Sequence, residues 1–267
     1  MSCPIIDCHC HVYPDKIAEK AVDSIGNFYD LNMYYDGKAS TLISHGNEIG
    51  VSHYVVFSVA TTPHQVHSIN SFIAETVKNS DGLMTGLGTL HPDAENIKED
   101  IEEIKRLGLK GVKMHPDFQK FRIDDPKCDR IYELCEGVLP VYLHTGDTRY
   151  AFSNPDNVIP VLEKYPDLIV IGAHFGGWSC WKEAAHKLHK YKNFYVDCSS
   201  SFDWLDHNEA GELIKMYTAD RVLFGTDYPM WSHKQEFERF NKIDLTQEER
   251  EKILYKNAMK LFSIEKV

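Results

Sequence analysis

Eight short apolar runs recur along this chain, each parted from the next by a longer stretch with helical patterning. They lie near Pro4–His11, His53–Val59, Met84–Leu90, Leu109–His115, Leu139–His144, Leu168–His174, Asn193–Cys198 and Arg221–Asp227. Most are dense in Val, Ile, Leu or aromatic residues and bounded by Gly, Pro or Asn, the pattern of buried strands. Continuous apolar strands suit a parallel sheet covered by helices. Between them, Ile97, Ile101, Ile104 and Leu107 recur at three- and four-residue spacing and predict a helix over Ala94–Leu107, capped by Asp93 and stopped at Gly108. Pro155–Tyr165 puts Val158, Val161 and Leu162 on one face, and residues 246–262 start on Thr246-Gln247-Glu248-Glu249, a capping-box pattern.

Strand–helix alternation repeated eight times predicts a closed barrel or an open doubly wound sheet. The count, and the absence of G-x-G-x-x-G after the first run, favour an α/β (β/α)8 TIM barrel. Its first β/α connection, residues 12–52, is extended, long enough for two helices or a lid. A chain of 267 residues without linker or low-complexity tract fits one barrel domain over 1–267. Such a core needs no disulfide staples, so the seven scattered cysteines read as reduced thiols. The net charge of -11 repels phosphate backbones and argues against a nucleic-acid partner. No run approaches the roughly 18 apolar residues that span a bilayer, and Met1-Ser2-Cys3-Pro4 lacks the basic and apolar regions of an export signal. The expectation is a cytoplasmic protein acting on a small molecule, away from membranes. The aromatics over Phe28–Tyr35 leave room for a lid or a homo-oligomer.

Barrels collect their active sites at the C-terminal ends of the strands. Five predicted ends carry acids, bases or histidines: Asp7-Cys8-His9-Cys10-His11, Lys113-Met114-His115, Leu143-His144-Thr145-Gly146, Ala173-His174-Phe175-Gly176-Gly177 and Gly225-Thr226-Asp227-Tyr228-Pro229. Strand periodicity puts His9, His11 and Asp7 on the inner face and Cys8 and Cys10 on the outer one. Two imidazoles on one face can share an ion, and His144 and Asp227 can complete a set with an open position. Mixed nitrogen and oxygen donors suit zinc, with manganese, iron or cobalt as alternatives. The two thiols admit a rival, a structural Cys/His zinc site, which the outward face and the lack of a C-x-x-C partner disfavour. His174 reads as a proton shuttle, a water-positioning group or a further ligand, against a core histidine bonded to a carbonyl. A buried Asp227 needs a metal or a partner, or caps the next helix. Lys113 and His115 share a face. Lys113 could bind a substrate carboxylate, pair with an acid such as Asp197, or bridge two metals after carbamylation, the last requiring ligands that cannot be assigned. One ion is therefore expected rather than two. Arg149, Trp178, Trp204 and Trp231 follow strand ends, and Arg149 could grip a substrate carboxylate.

At these residues the chain resembles the amidohydrolase superfamily, in particular the amidohydrolase-related branch of decarboxylases and lactone hydrolases. The resemblance runs from Ile5-Ile6-Asp7-Cys8-His9-Cys10-His11 through Pro140-Val141-Tyr142-Leu143-His144, Ala173-His174-Phe175-Gly176-Gly177 and Gly225-Thr226-Asp227-Tyr228-Pro229 to the helix near Leu261. It implies a metal held by His9, His11, His144 and Asp227, with His174 acting on the water and Asp227 also accepting its proton. The reading that follows is a metal-dependent hydrolase cleaving an amide, lactone or other ester of a small, carboxylate-bearing substrate held by Lys113, His115, Arg149 and Trp178. A non-oxidative decarboxylase of an aromatic or muconate-type acid is the alternative, and a metal-binding scaffold without catalysis a third.

Overall fold

The computed structural model describes residues 3–267; Met1 and Ser2, part of the terminus read above as no export signal, lie outside them. All the strands are parallel. β1 (Ile6–His11), β2 (His53–Phe57) and β3 (Met84–Gly86) form one sheet. β4 (Gly88–Thr89), β5 (Val112–Met114), β6 (Val141–Leu143), β7 (Val170–Gly172), β8 (Phe194–Asp197) and β9 (Val222–Leu223) follow in order in a second. β3 and β4 are the two halves of one predicted run. Leu87 N donates to Val56 O at 2.9 Å and Gly88 N to Gly111 O at 2.9 Å, so this run leaves β2 and takes up β5. On the far side, Cys8 N donates to Phe224 O at 2.9 Å, His11 N to Tyr228 O at 2.8 Å and Tyr228 N to His9 O at 3.1 Å. These bonds bring the chain after β9 against β1, and the ring of eight closes as a TIM barrel.

Side-chain alternation sorts the core into two clusters. Val55, Phe57, Leu87, Tyr142, Ile171 and Leu223 point inward with Ile6, and Ala258, Phe262 and Ile264 from the C-terminal segment pack onto them. Val56, Val112, Val141, Val170, Val196 and Val222 face the helices, where they meet Ile101, Ile104, Val158 and Leu213. The strands are shorter than the apolar runs because His115, His144, His174 and Asp227 lie just beyond the last paired residue. There the chain has left the ladder to build the mouth of the barrel.

The first strand corrects the periodicity reading. Asp7 pairs Tyr54 but Cys10 pairs Val56, so β1 carries one extra residue over this interval, a β-bulge. The bulge lets Cys8 join the inward cluster while His9 and His11 also face the barrel interior. Asp7 does not share their face: its carboxylate accepts from Thr226 N at 3.0 Å and lies 3.2 Å from His233 Nε2, on the helix after β9. Cys10 packs outward, as expected. All seven cysteines are unpaired.

The predicted helix at 94–107 forms over Ile97–Arg106. Asp93 does not cap it, because Ala94 N closes an earlier turn on His91 O at 2.9 Å and the Asp93 carboxylate accepts from Lys127 Nζ at 2.9 Å. Asn154 caps Pro155–Lys164, and the Thr246–Glu249 capping box forms, starting a helix that passes through a π-helical turn at Lys252–Lys256 and ends at Phe262. Residues 12–52 contain two helices, Ala18–Tyr29 and Ala39–Asn47. Among the described residues no helix is long and apolar enough to cross a membrane.

Candidate metal centre

The bulged end of β1 and the loop after β9 bring three predicted ligands together. His9 Nε2 lies 3.3 Å from His11 Nε2 and 3.2 Å from Asp227 Oδ1, and His11 Nε2 is 3.7 Å from the same oxygen. His9 and Asp227 are buried and His11 nearly so. Burial, with His9, Lys113 and His115 close by, pushes the His11 ring well below the ordinary imidazole pKa, favouring the neutral form that carries a free lone pair. The other nitrogen of His9 is held: Nδ1 is 3.1 Å from Asp197 Oδ2 and 3.0 Å from Ser199 Oγ. A carboxylate on one ring nitrogen fixes the tautomer and aims the opposite lone pair at the centre, as around metal-bound imidazoles. Burial alone would raise the Asp197 carboxyl. The His9 ring, the His174 ring and the Ser199 hydroxyl hold it far below the usual range instead. Asp227 does not cap the following helix, which starts on Ser232. Its second oxygen accepts from the Ser200 hydroxyl.

His144 stands apart from this trio. Its ring stacks on His115, centroids 4.0 Å apart, with Nδ1 3.2 Å from His174 Nε2 and Nε2 3.7 Å from Asp117 Oδ2. It falls in a separate group with Asp117 and Asp147, whose donor atoms lie within 4.8 Å of one another. His144 Nε2 and both Asp117 oxygens are buried without a hydrogen-bond partner. The two facing imidazole nitrogens of His9 and His11 and the Asp227 oxygen form a donor set that fits a divalent cation with a position left open. Cys8 and Cys10 belong to no such group among the described residues; their thiols reach only the backbone oxygens of Ile6 and Asp7.

His174 links the two groups. Its ring stacks on His9 at 5.1 Å, and Nδ1 is 3.1 Å from Ser199 O. Burial takes its pKa down to about 4 against the pull of Asp227 and Asp197. His174 and Asp227 both have positive φ, 59° and 58°, a region costly for residues with a Cβ and often found at functional sites.

Lys113 Nζ lies 3.3 Å from His9 Nε2 and 4.3 Å from the centre of the Tyr142 ring. Burial lowers its pKa to about 8, opposed by Asp197 and Asp227, so Asp197 is an electrostatic neighbour as anticipated. His115 and Lys113 both line a small compartment of about 20 Å³ over the trio, with Tyr29, Met33, His144, His174 and Met230. Arg149 does not line it. Its guanidinium grips Asp147 through Nε–Oδ1 at 2.9 Å and NH2–Oδ2 at 2.8 Å, and donates to Phe28 O at 2.8 Å. An arginine whose fork is already filled has little left for a substrate carboxylate. Trp178 packs against Tyr29 and Trp204.

Sequence reasoning missed Tyr29, Asp117, Ser199 and the role of Tyr142. Tyr29 closes the compartment from the first connection, its hydroxyl 2.9 Å from His115 Nε2. Ser199 and Tyr142 both bond Asp197. The only sequence signal for Asp117 was its place two residues after His115.

A family model described as Amidohydrolase matches residues 6–264. No curated protein matches the chain. Among solved structures, an uncharacterised TIM-barrel protein from Bordetella bronchiseptica superposes with a TM-score of 0.81 at 22% identity, covering 97% of this chain and 98% of that one. A dihydroxybenzoic acid decarboxylase from Polaromonas, with manganese and 2-nitroresorcinol bound, gives 0.77 at 17% identity, covering 100% and 98%. A candidate 2-pyrone-4,6-dicarboxylic acid hydrolase from Pseudomonas putida gives 0.70 at 20% identity, covering 100% of both chains.

Proposed function

Because this chain belongs to the amidohydrolase family, we propose that it is a metal-dependent hydrolase that activates water to cleave an amide, lactone or other ester bond of a small molecule. The observation that carries this reading is the convergence of His9 Nε2, His11 Nε2 and Asp227 Oδ1 beneath a small compartment. These three residues would hold one divalent cation; His144, read from the sequence as a fourth ligand, sits in the neighbouring group with Asp117 and Asp147. Zinc suits the nitrogen-rich donors, and the Polaromonas relative holds manganese. When bound, the ion supplies Lewis acidity beside the scissile bond.

The chain's own groups do the rest. Asp227, with its second oxygen held by Ser200, is placed to accept the proton of the attacking water. His174, neutral and anchored on Ser199, orients that water and relays the proton toward the leaving group. Asp197 keeps His9 in one tautomer, and Tyr29 and Met230 line the compartment above it. The test is the double variant His9→Ala/His11→Ala. Metal measured by elemental analysis should vanish together with turnover on an ester and amide panel; full activity without metal would sink the scheme.

A second reading, a non-oxidative decarboxylase, has its own support. Dihydroxybenzoate decarboxylases are among the structural relatives, and Lys113 offers a cation inside the compartment for a substrate carboxylate. Release of CO2 from an aromatic acid would favour it, whereas a new carboxylate from ester or amide cleavage favours hydrolysis.

A further inference from the structure

Beside the small compartment lies a much larger cavity, of about 520 Å³, between the helix Ala18–Tyr29 and the helix Val66–Lys78. That volume is in the range of small-molecule sites. Its walls include Ile17, Ala21, Ile25, Phe28, Ile69 and Phe72. His11, Ile25 and Phe118 line both spaces, so the cavity adjoins the compartment over the trio. The charges around it are few. Besides His11, its charged liners are Asp117 and Lys120. The Asp117 side chain is fully buried toward His144, and Lys120 is exposed. No arginine lines it, and Arg149 is spent on Asp147.

We propose that the substrate carries an uncharged apolar body, an acyl chain or an aryl equivalent, seated in this cavity with its reacting polar group against His11 and Asp227. This deepens the proposed hydrolase reading and rests on it for the position of the reacting group. It also replaces the sequence expectation of a carboxylate-bearing substrate: a second charge on the body would be desolvated among the apolar walls, and the lysine that lines the cavity, Lys120, is exposed to solvent. An apolar chain gains from the same walls by leaving water.

The test uses the uncharged fluorophore N-phenyl-1-naphthylamine with the full-length protein, as purified and again after chelation. Saturable fluorescence should appear in both samples and be displaced by octanamide at least a hundredfold more effectively than by acetamide, since each buried methylene adds about fourfold. Suberamic acid, an eight-carbon amide ending in a carboxylate, should compete at least tenfold more weakly than octanamide. Ala21→Trp, or Ser24→Trp should the first variant fold poorly, should weaken saturable binding by occupying part of the cavity. Displacement independent of chain length, equal competition by suberamic acid, or full binding in a folded Trp variant would each overturn the inference. Chelation separates the two readings. Persistent probe binding with no metal-dependent turnover would overturn the hydrolase proposal alone, and turnover without chain-length preference would overturn this one alone.

Discussion

Gly225 stands where β9 leads into Asp227, and replacing it with alanine should damage the metal centre without replacing a ligand. A Cβ built there meets His9 Cβ at 2.8 Å, His9 N at 3.3 Å and Ser199 Cβ at 3.4 Å. To reach ordinary contact the two backbones must part by about 0.6 Å. His9 cannot yield by rotating, because Nδ1 is held by Asp197 at 3.1 Å and Ser199 at 3.0 Å. Metal–ligand distances tolerate only about 0.2 Å, so the displacement exceeds what the site absorbs. Gly225→Ala should weaken metal binding by roughly 10–100-fold, as loss of a supporting contact does, and cost about 1–3 kcal/mol of stability through overpacking. Calorimetric titration of manganese or zinc into chelator-stripped protein measures the first, and thermal melting the second. Gly211→Ala is the control: its Cβ meets only Ile243 Cγ2, at 3.4 Å, in the helix His207–Tyr217. Unchanged affinity and melting in Gly225→Ala would refute the claim that this glycine sets the position of His9.

Two further outcomes follow from buried acids. Asp197→Asn should leave the fold intact but lower metal affinity roughly 10–100-fold by releasing the His9 tautomer, read by the same titration; wild-type affinity would contradict the anchoring role. Glu236 is buried on the helix His233–Phe240, with Oε1 3.0 Å from Arg239 NH1 and Oε2 unpartnered. Burial raises its pKa from 4.5 to about 8 against the lowering effect of Arg239. The folded protein therefore keeps this proton while the unfolded chain releases it, and stability falls as pH rises from about 4.5 to about 8. Glu236→Gln removes that loss, so its stability relative to wild type should improve between pH 5 and pH 8, by on the order of a few kcal/mol. Urea unfolding at both pH values decides it, and a pH-independent difference would count against the burial argument.

The barrel was legible because its causes are local. Apolar runs, amphipathic spacing at Ile97, Ile101 and Ile104, and the Thr246–Glu249 box each write their element into neighbouring residues. The chemistry-bearing strand ends were legible for the same reason: polar residues placed where apolar strands stop have few other purposes. Tertiary structure alone decided how those side chains meet. The extra residue in β1 depends on register against Tyr54 and Val56, and it turns Cys8 inward while the Asp7 carboxylate meets Thr226 and His233. The pairing of Arg149 with Asp147 spans two residues, but nothing in the sequence says that Phe28 O accepts from a further nitrogen of its guanidinium. Tyr29 reaches His115 across 86 positions. Local sequence specifies elements because backbone preference and patterning act over one or two turns. Site geometry depends on contacts between distant segments, and those exist only once the ring has closed.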